Sequence, residues 1–306
     1  MKTHGSLLSV TLPFEEQMWF SKTNKTWFDI ERDLYINEGL GSLTATSENR
    51  KTFLSLPMAH GQKTARALVK QFQQGDDVSQ YLRPEASEAY AKSYKTQLKI
   101  TLASMFTDDI AVDEIDTRGT RHLLVKPLSR GYIEAVTTNI WDPPTINHRT
   151  LSHPLDLKNT IASLRFGRRF LATPDFAPLE PIETSPGVGV QTDEQFEGFV
   201  RDTMSSGGAH GCCTAAMGPV LDSKLKVRGV KGLRVVDSAS WPMIPGSHGT
   251  LVRVSPALRL PRHAPMASEP GLRSQKRLLT LNTHYQSTTY AVAEKAADLI
   301  KADQSR

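Results

Sequence analysis

The chain has 306 residues, 39% of them hydrophobic and 23% charged, with a formal net charge of +5 and a pI near 9.1. That length suffices for about two domains, and the mix is that of ordinary globular chains, which excludes disordered, fibrous and collagen-like classes. No stretch reaches the ~18 consecutive apolar residues of a membrane helix, so no membrane span is expected.

The only two cysteines, Cys212 and Cys213, are adjacent. Neighbouring residues rarely meet disulfide geometry, so no disulfide framework is expected, which favours a reducing compartment such as the cytoplasm. The basic excess is local. Residues 251–286 carry five Arg, one Lys and one Glu, so this segment holds the whole surplus and the rest of the chain sums to zero. The segment also has four Pro and no helical or strand period. A basic face that binds nucleic acid is normally built on a folded surface with aromatic or polar readers. No nucleic-acid partner is therefore expected, and 251–286 reads as a basic aperiodic insert, in keeping with an intervening sequence retained in the message.

Along the chain, residues 1–30 read as an atypical leader. Ser and Thr break their apolar run, and no small-x-small cleavage site follows. The aromatic residues Trp19, Phe20, Trp27, Phe28 and Tyr35 could line an apolar pocket, although packing in a core is the commoner fate of such side chains. Good helix formers at helical spacing predict helices over 64–74 and from Pro84 to about residue 106. The runs RHLLVK from Arg121 and YIEAVTT from Tyr132 read as strands around the turn PLSRG. A helix over 153–171 places Leu155, Ile161, Leu164 and Phe170 on one side, and Thr192 with Gln195 three residues on forms a capping box for the next. KLKVRGV and GLRVVD are β-rich pieces separated by a Gly turn, and 288–303 is an Ala-rich helix. The pattern is α+β, an antiparallel sheet flanked by helices, without internal repeats.

Two histidines stand on small-residue loops: His210 in GAHGCCTAAMG and His248 in PMIPGSHGT. Between them GLRVVD delivers Asp237 to a strand end, a common way for a fold to hold a site. His210 can be a base, a metal ligand with Cys212 and Cys213, or a packed residue. The metal reading is the weaker one, because adjacent side chains point to different sides of a regular backbone and no C-x-x-C or H-x-x-x-H spacing exists. Asp237 can approach a cofactor or simply terminate the strand.

From about Pro127 to Thr250, and again from Ser287 to Ile300, the chain resembles the C-terminal half of the glucose-methanol-choline (GMC) oxidoreductases. HGCCTAAMG meets the family's H-x-x-G-T-C-x-M-G at His210, Thr214, Met217 and Gly218, and VRGVKGLRVVDSASWP meets its next motif almost letter for letter. His248 falls eleven residues after Asp237, where the family has a second His or Asn, and AEKAADLI at 293–300 matches its closing helix. PLSRG and Asp142 to Pro144 also look familial. The resemblance implies FAD-dependent oxidation of a small-molecule alcohol by hydride transfer. His210 would be the base, His248 would bind the same oxygen, and Asp237, Ser238 and Gly249 would lie against FAD. In a filamentous fungus this would suit a tailoring step of secondary metabolism.

The domain boundaries that follow are 31–205 for a substrate-binding domain, with 206–250 and 287–306 as the C-terminal remnant of an incomplete FAD-binding domain. Cys213 stands where the family has Gly and Ala215 where it has Cys, and a side chain at 213 is expected to push the loop off its backbone angles. The pyrophosphate-binding G-x-G-x-x-G is missing: GLG at Gly39 and GVGV at Gly187 lack the third Gly. Two readings remain: an enzyme part whose FAD-domain half is supplied separately, with homo-oligomers as another partnership, or a non-catalytic small-molecule or subunit-binding module derived from such an enzyme.

Overall fold

The computed structural model describes residues 3–5, 9–11, 25–41, 43, 51–73, 77–116, 122–206, 210–244 and 285–304. The elements run β1 (Thr3–Gly5), β2 (Ser9–Thr11), α1 (Lys25–Glu38), β3 (Lys51–Ser55), α2 (Leu56–His60), α3 (Gln62–Gln73), α4 (Glu88–Ser104), β4 (Ala111–Asp116), β5 (His122–Leu124), β6 (Tyr132–Glu134), β7 (Thr145–Asn147), α5 (Pro154–Leu171), β8 (Ile182–Ser185), α6 (Asp193–Thr203), β9 (Ser205–Ser206) and α7 (Tyr285–Gln304). Five strands form an antiparallel sheet in the order β3-β4-β5-β1-β9, while β2–β8 and β6–β7 make separate two-stranded ladders. This is the α+β arrangement with an antiparallel sheet flanked by helices.

β1 lies within the stretch that reads as a leader. Thr3 lies opposite Leu124 on one side and Ser206 on the other, so residues 3–5 belong to the main sheet. Three residues held by backbone pairing carry no period-two signal, and the sequence could not announce them.

The helices follow their apolar spacing. On α3, Ala65, Leu68, Val69 and Phe72 recur at i, i+3, i+4 and i+7 and pack against Tyr94, Leu98 and Leu102 of α4 and against Val112, Leu128 and Leu155. α5 begins at Pro154, whose missing N–H costs nothing in a first turn, and buries Leu155, Ile161 and Leu164. Phe170 is half-buried beside Phe176, 4.7 Å between ring centroids. Thr192 and Gln195 form the expected capping box on α6, whose Phe196 and Val200 meet Leu157, Ile161, Leu164 and Leu171. KLKVRGV and GLRVVD are not ladder strands; they meet through an isolated bridge between Lys226 and Arg234. Tyr35 is exposed and Phe28 half-buried, while Trp19 and Phe20, and the side chain of Trp27, lie outside the described residues.

Buried charge fixes the frame. Asp156, fully buried on the first turn of α5, accepts bonds from the Leu128 amide at 2.8 and 3.1 Å and from the Ser129 amide at 2.7 Å, which pins the PLSRG turn to the helix start. Arg130 closes that turn by donating to the carbonyls of Pro127, Leu128 and Ser129, and its guanidinium lies over the Tyr94 ring. A Cβ on Gly131 would collide with the Asn147 carbonyl, so the turn can pack there only with Gly. Arg168 holds β8 by a two-pronged pair with Glu183, at 2.9 and 2.7 Å. α7 buries Ala296 against Leu221 and Leu225. Near its end Asp303 meets Lys226, Lys224 and Arg234, and the Lys226 ammonium above all holds its carboxyl down to about 2.

Two outcomes follow from this frame. Asp156→Ala strands two amides in a dry site and should lower the urea unfolding free energy by about 3 kcal/mol; a loss within ~0.5 kcal/mol, as at an indifferent surface position, would show that the carboxylate does not hold the turn. Burial holds His60 below the ordinary imidazole range, with the Lys158 charge adding to the drop and the 3.0 Å bond to Asn159 partly offsetting it. A lowered folded value means that the unfolded chain binds the proton more readily, so the His60 contribution is complete above about pH 6.5 and declines as pH falls below it. Stability measured from about pH 7 to 5 should fall more steeply for the wild type than for His60→Gln, and parallel curves would contradict the assignment.

Candidate active site

Small residues let the segment 210–218 lie close against a second piece of backbone. Three of its amides, at alternate positions, reach three consecutive carbonyls: Cys213 to Ser238 at 3.0 Å, Ala215 to Ala239 at 2.9 Å and Met217 to Ser240 at 2.9 Å. The strip is thereby laid along a single 3-10 turn, Ser238–Ser240. In return the Ser238 hydroxyl donates to the Gly211 carbonyl at 3.0 Å.

Asp237 makes that turn. One of its carboxylate oxygens accepts the Ala239 amide at 2.8 Å, and its carbonyl accepts both the amide and the hydroxyl of Ser240, at 3.0 and 2.7 Å. Beneath the turn, buried Cys212, Trp241 and Ile244 form a small core to which Cys213 and Val292 of α7 add. Sequence motifs 20 to 30 positions apart thus become one layer, braced by the C-terminal helix.

His210, half-buried, heads this strip, one residue before the Gly211 carbonyl that Ser238 holds. Asp237 is exposed and Ser238 half-buried. The structure therefore brings the His210 loop and the Asp237–Ser238 turn together. His248 and Gly249 lie outside the described residues.

Cys213 overturns two expectations. Its φ is +69°, in the left-handed region, so the loop keeps the conformation that favours glycine and is not pushed off it. That conformation costs a side-chain-bearing residue about 1–2 kcal/mol, and the amide bond to Ser238 offsets part of the cost. Because this backbone is not regular, the two sulfurs do not diverge: Cys212 Sγ and Cys213 Sγ are 2.8 Å apart. The hydrogen bond to Cys212, and after it burial, pushes the Cys213 thiol well above the usual thiol range. No group of three or more His, Cys, Asp or Glu suited to a metal ion occurs among the described residues.

Gly39 is not part of a phosphate loop. It ends α1 at φ +66°, its amide bonded to the Tyr35 carbonyl and that of Leu40 to the Leu34 carbonyl. Sequence reasoning missed another polar pair, Asp113 and His122, wholly buried side by side on β4 and β5 with 3.4 Å between carboxylate and Nδ1. Burial raises the Asp113 carboxyl, with His122 opposing the rise. His122 Nε2 has no hydrogen-bond partner among the described residues. The one available signal was three acids in a short β-rich run, which reads equally as an exposed edge.

Comparison with known proteins places this layer in a family. Residues 127–255 match the profile described as GMC oxidoreductase. Dehydrogenase xptC of Emericella nidulans is 33% identical over 230 residues, 72% of this chain and 37% of that protein. An FAD-dependent oxidoreductase from Chaetomium thermophilum superposes on 99% of this chain and 47% of its own, with a TM-score of 0.75 and 26% identity. A fungal aryl-alcohol oxidase does so over 100% and 48%, with a TM-score of 0.72 and 25% identity. The chain spans about half the length of those solved structures and little more than a third of that dehydrogenase. No described helix is long and apolar enough to cross a membrane. The profile match, the dehydrogenase and the two superpositions agree that this chain belongs to the GMC oxidoreductases and carries their C-terminal half.

Proposed function

We propose that the chain contributes the proton-accepting side of an FAD-dependent alcohol oxidation, with His210 as the base. The observation that carries this reading is the three-rung backbone ladder between 213–217 and 238–240, which fixes the His210 loop while leaving Gly211 and Asp237 exposed. An imidazole with an ordinary value of about 6.5 is mostly neutral at pH 7 and can take the hydroxyl proton of an alcohol as its C–H bond breaks. The exposed edge suits FAD: Gly211 adds no side chain, and the Asp237 carboxylate and Ser238 hydroxyl offer polar atoms to hydroxyl groups of the cofactor. FAD, when bound, supplies the hydride acceptor. His248 would hold the alcohol oxygen in line, and Gly249 would lie against the cofactor.

The partner this reading requires is a segment or separate subunit bearing the other half of an FAD-binding domain. Support for such a surface comes from the β6–β7 hairpin, where Ile140 and Trp141 are 89% and 88% exposed and Ile133, Val136 and Ile146 are also open, an apolar grouping that a monomer seldom leaves uncovered. The rival reading is a non-catalytic module. Cys213 favours it, since a strained side chain stands where the resembling enzymes have glycine.

Colour and flavin reduction separate the two. The purified chain, together with a partner bearing the other half of the FAD-binding domain, is mixed with FAD, desalted, and given benzyl alcohol without oxygen. The catalytic reading expects retained yellow colour that bleaches, and a bleaching rate about 10²–10⁴-fold lower in His210→Ala. A chain that stays colourless, or a His210→Ala variant that bleaches at the wild-type rate, would overturn it.

A further inference from the structure

We infer that Cys212 and Cys213 are a dithiol that closes to a disulfide between adjacent residues when it meets a hydroperoxide, placing a redox-sensitive modification two residues from His210. Adjacent Cα atoms across a trans peptide are about 3.8 Å apart, short of the usual disulfide range of about 4.4–6.8 Å, so regular backbone turns neighbouring cysteines apart. Here the left-handed Cys213 brings the sulfurs to 2.8 Å, so closure to a bond of about 2.05 Å needs a movement of only about 0.8 Å. The pair is enclosed but reachable: Cys212 packs with Trp241 and Ile244, whereas Cys213 is half-buried. Strained disulfides are the more readily reduced ones, which makes closure reversible.

The chemistry balances with hydrogen peroxide as the oxidant. The Cys212 sulfur, as thiolate, attacks the O–O bond, hydroxide leaves and takes up a proton as water, and Cys212 becomes a sulfenic acid. Cys213, which the neighbouring sulfur and burial keep protonated, is the resolving thiol. As it loses its proton its sulfur attacks Cys212, the S–S bond forms, the S–O bond breaks, and a second water leaves. Two thiols give up two electrons and the peroxide becomes two waters. Closure fixes the 212–213 peptide inside the strip that the Ser238, Ala239 and Ser240 carbonyls hold, and so acts on the segment that carries His210.

The inference does not require bound FAD, and its test reads thiols, not turnover. Since the chain has two cysteines in all, a thiol count reports on this pair alone. The full chain is reduced with dithiothreitol, desalted and treated with a few equivalents of hydrogen peroxide. The expected product is a monomer about 2 Da lighter, with neither thiol open to maleimide and both restored by dithiothreitol. Closure should run at least about tenfold slower in urea, where the backbone no longer aligns the sulfurs. Cys213→Gly suits the left-handed angle and keeps the loop, and it should not show the 2 Da loss. Unreacted thiols, added oxygen on sulfur, disulfide-linked dimers, equal rates in urea, or a 2 Da loss in Cys213→Gly would each overturn the inference.

Discussion

The site depends on a backbone ladder, not on side-chain contacts. Donors at alternate residues of an irregular strip match carbonyls at consecutive residues of a tight turn, so neither piece can slide along the other without losing all three rungs. Beside the rungs, Cys212 and Ala216 are buried, while Thr214 is exposed. The turn holds its shape through Asp237 and Ser240. Beneath both lies the core of Cys212, Trp241 and Ile244, and the α7 helix closes the layer through Ala296 and the Asp303 charge cluster. Preorganisation of this kind is what a reactive imidazole needs, because a base acts only when its position is set before the substrate arrives.

The larger helical and sheet part rests on a different constraint, the burial of polar groups with their partners supplied. Asp156 takes the amides of Leu128 and Ser129, Arg168 takes Glu183, and Arg130 takes three carbonyls of its own turn. The Asp156 and Arg168 bonds tie the 127–131 turn and β8 to α5, which its apolar spacing has already placed. Thr101 on α4 reaches the Met243 sulfur at 3.9 Å, a direct contact between this part and the site layer.

Legibility in the sequence followed the strength of the local signal. α3, α4, α5 and α6 were readable because a 3.6-residue period, proline at a first turn and a capping box each have a local physical cause. β1 was hidden because its three residues gain their place from pairing with β5 and β9. β4 was hidden because both its faces are covered, so Asp113 and Glu114 are as buried as Val112 and Ile115. In the site, loop and strand-end placement singled out His210 and Asp237 as candidates, whereas their roles, and Ser238, were legible only through motif resemblance. The ladder joining them was not, since backbone bonds leave no mark on residue type. Cys213 shows the limit most plainly: its identity argued against a left-handed angle, and the Ser238 carbonyl imposed one.

Residue-resolved amide hydrogen exchange tests the central claim most directly, that the strip and the turn are one rigid unit. The amides of Cys213, Ala215 and Met217 should be protected to a similar degree and exchange together, through one common opening. Independent, rapid exchange at the three positions, as in a freely moving loop, would contradict the account.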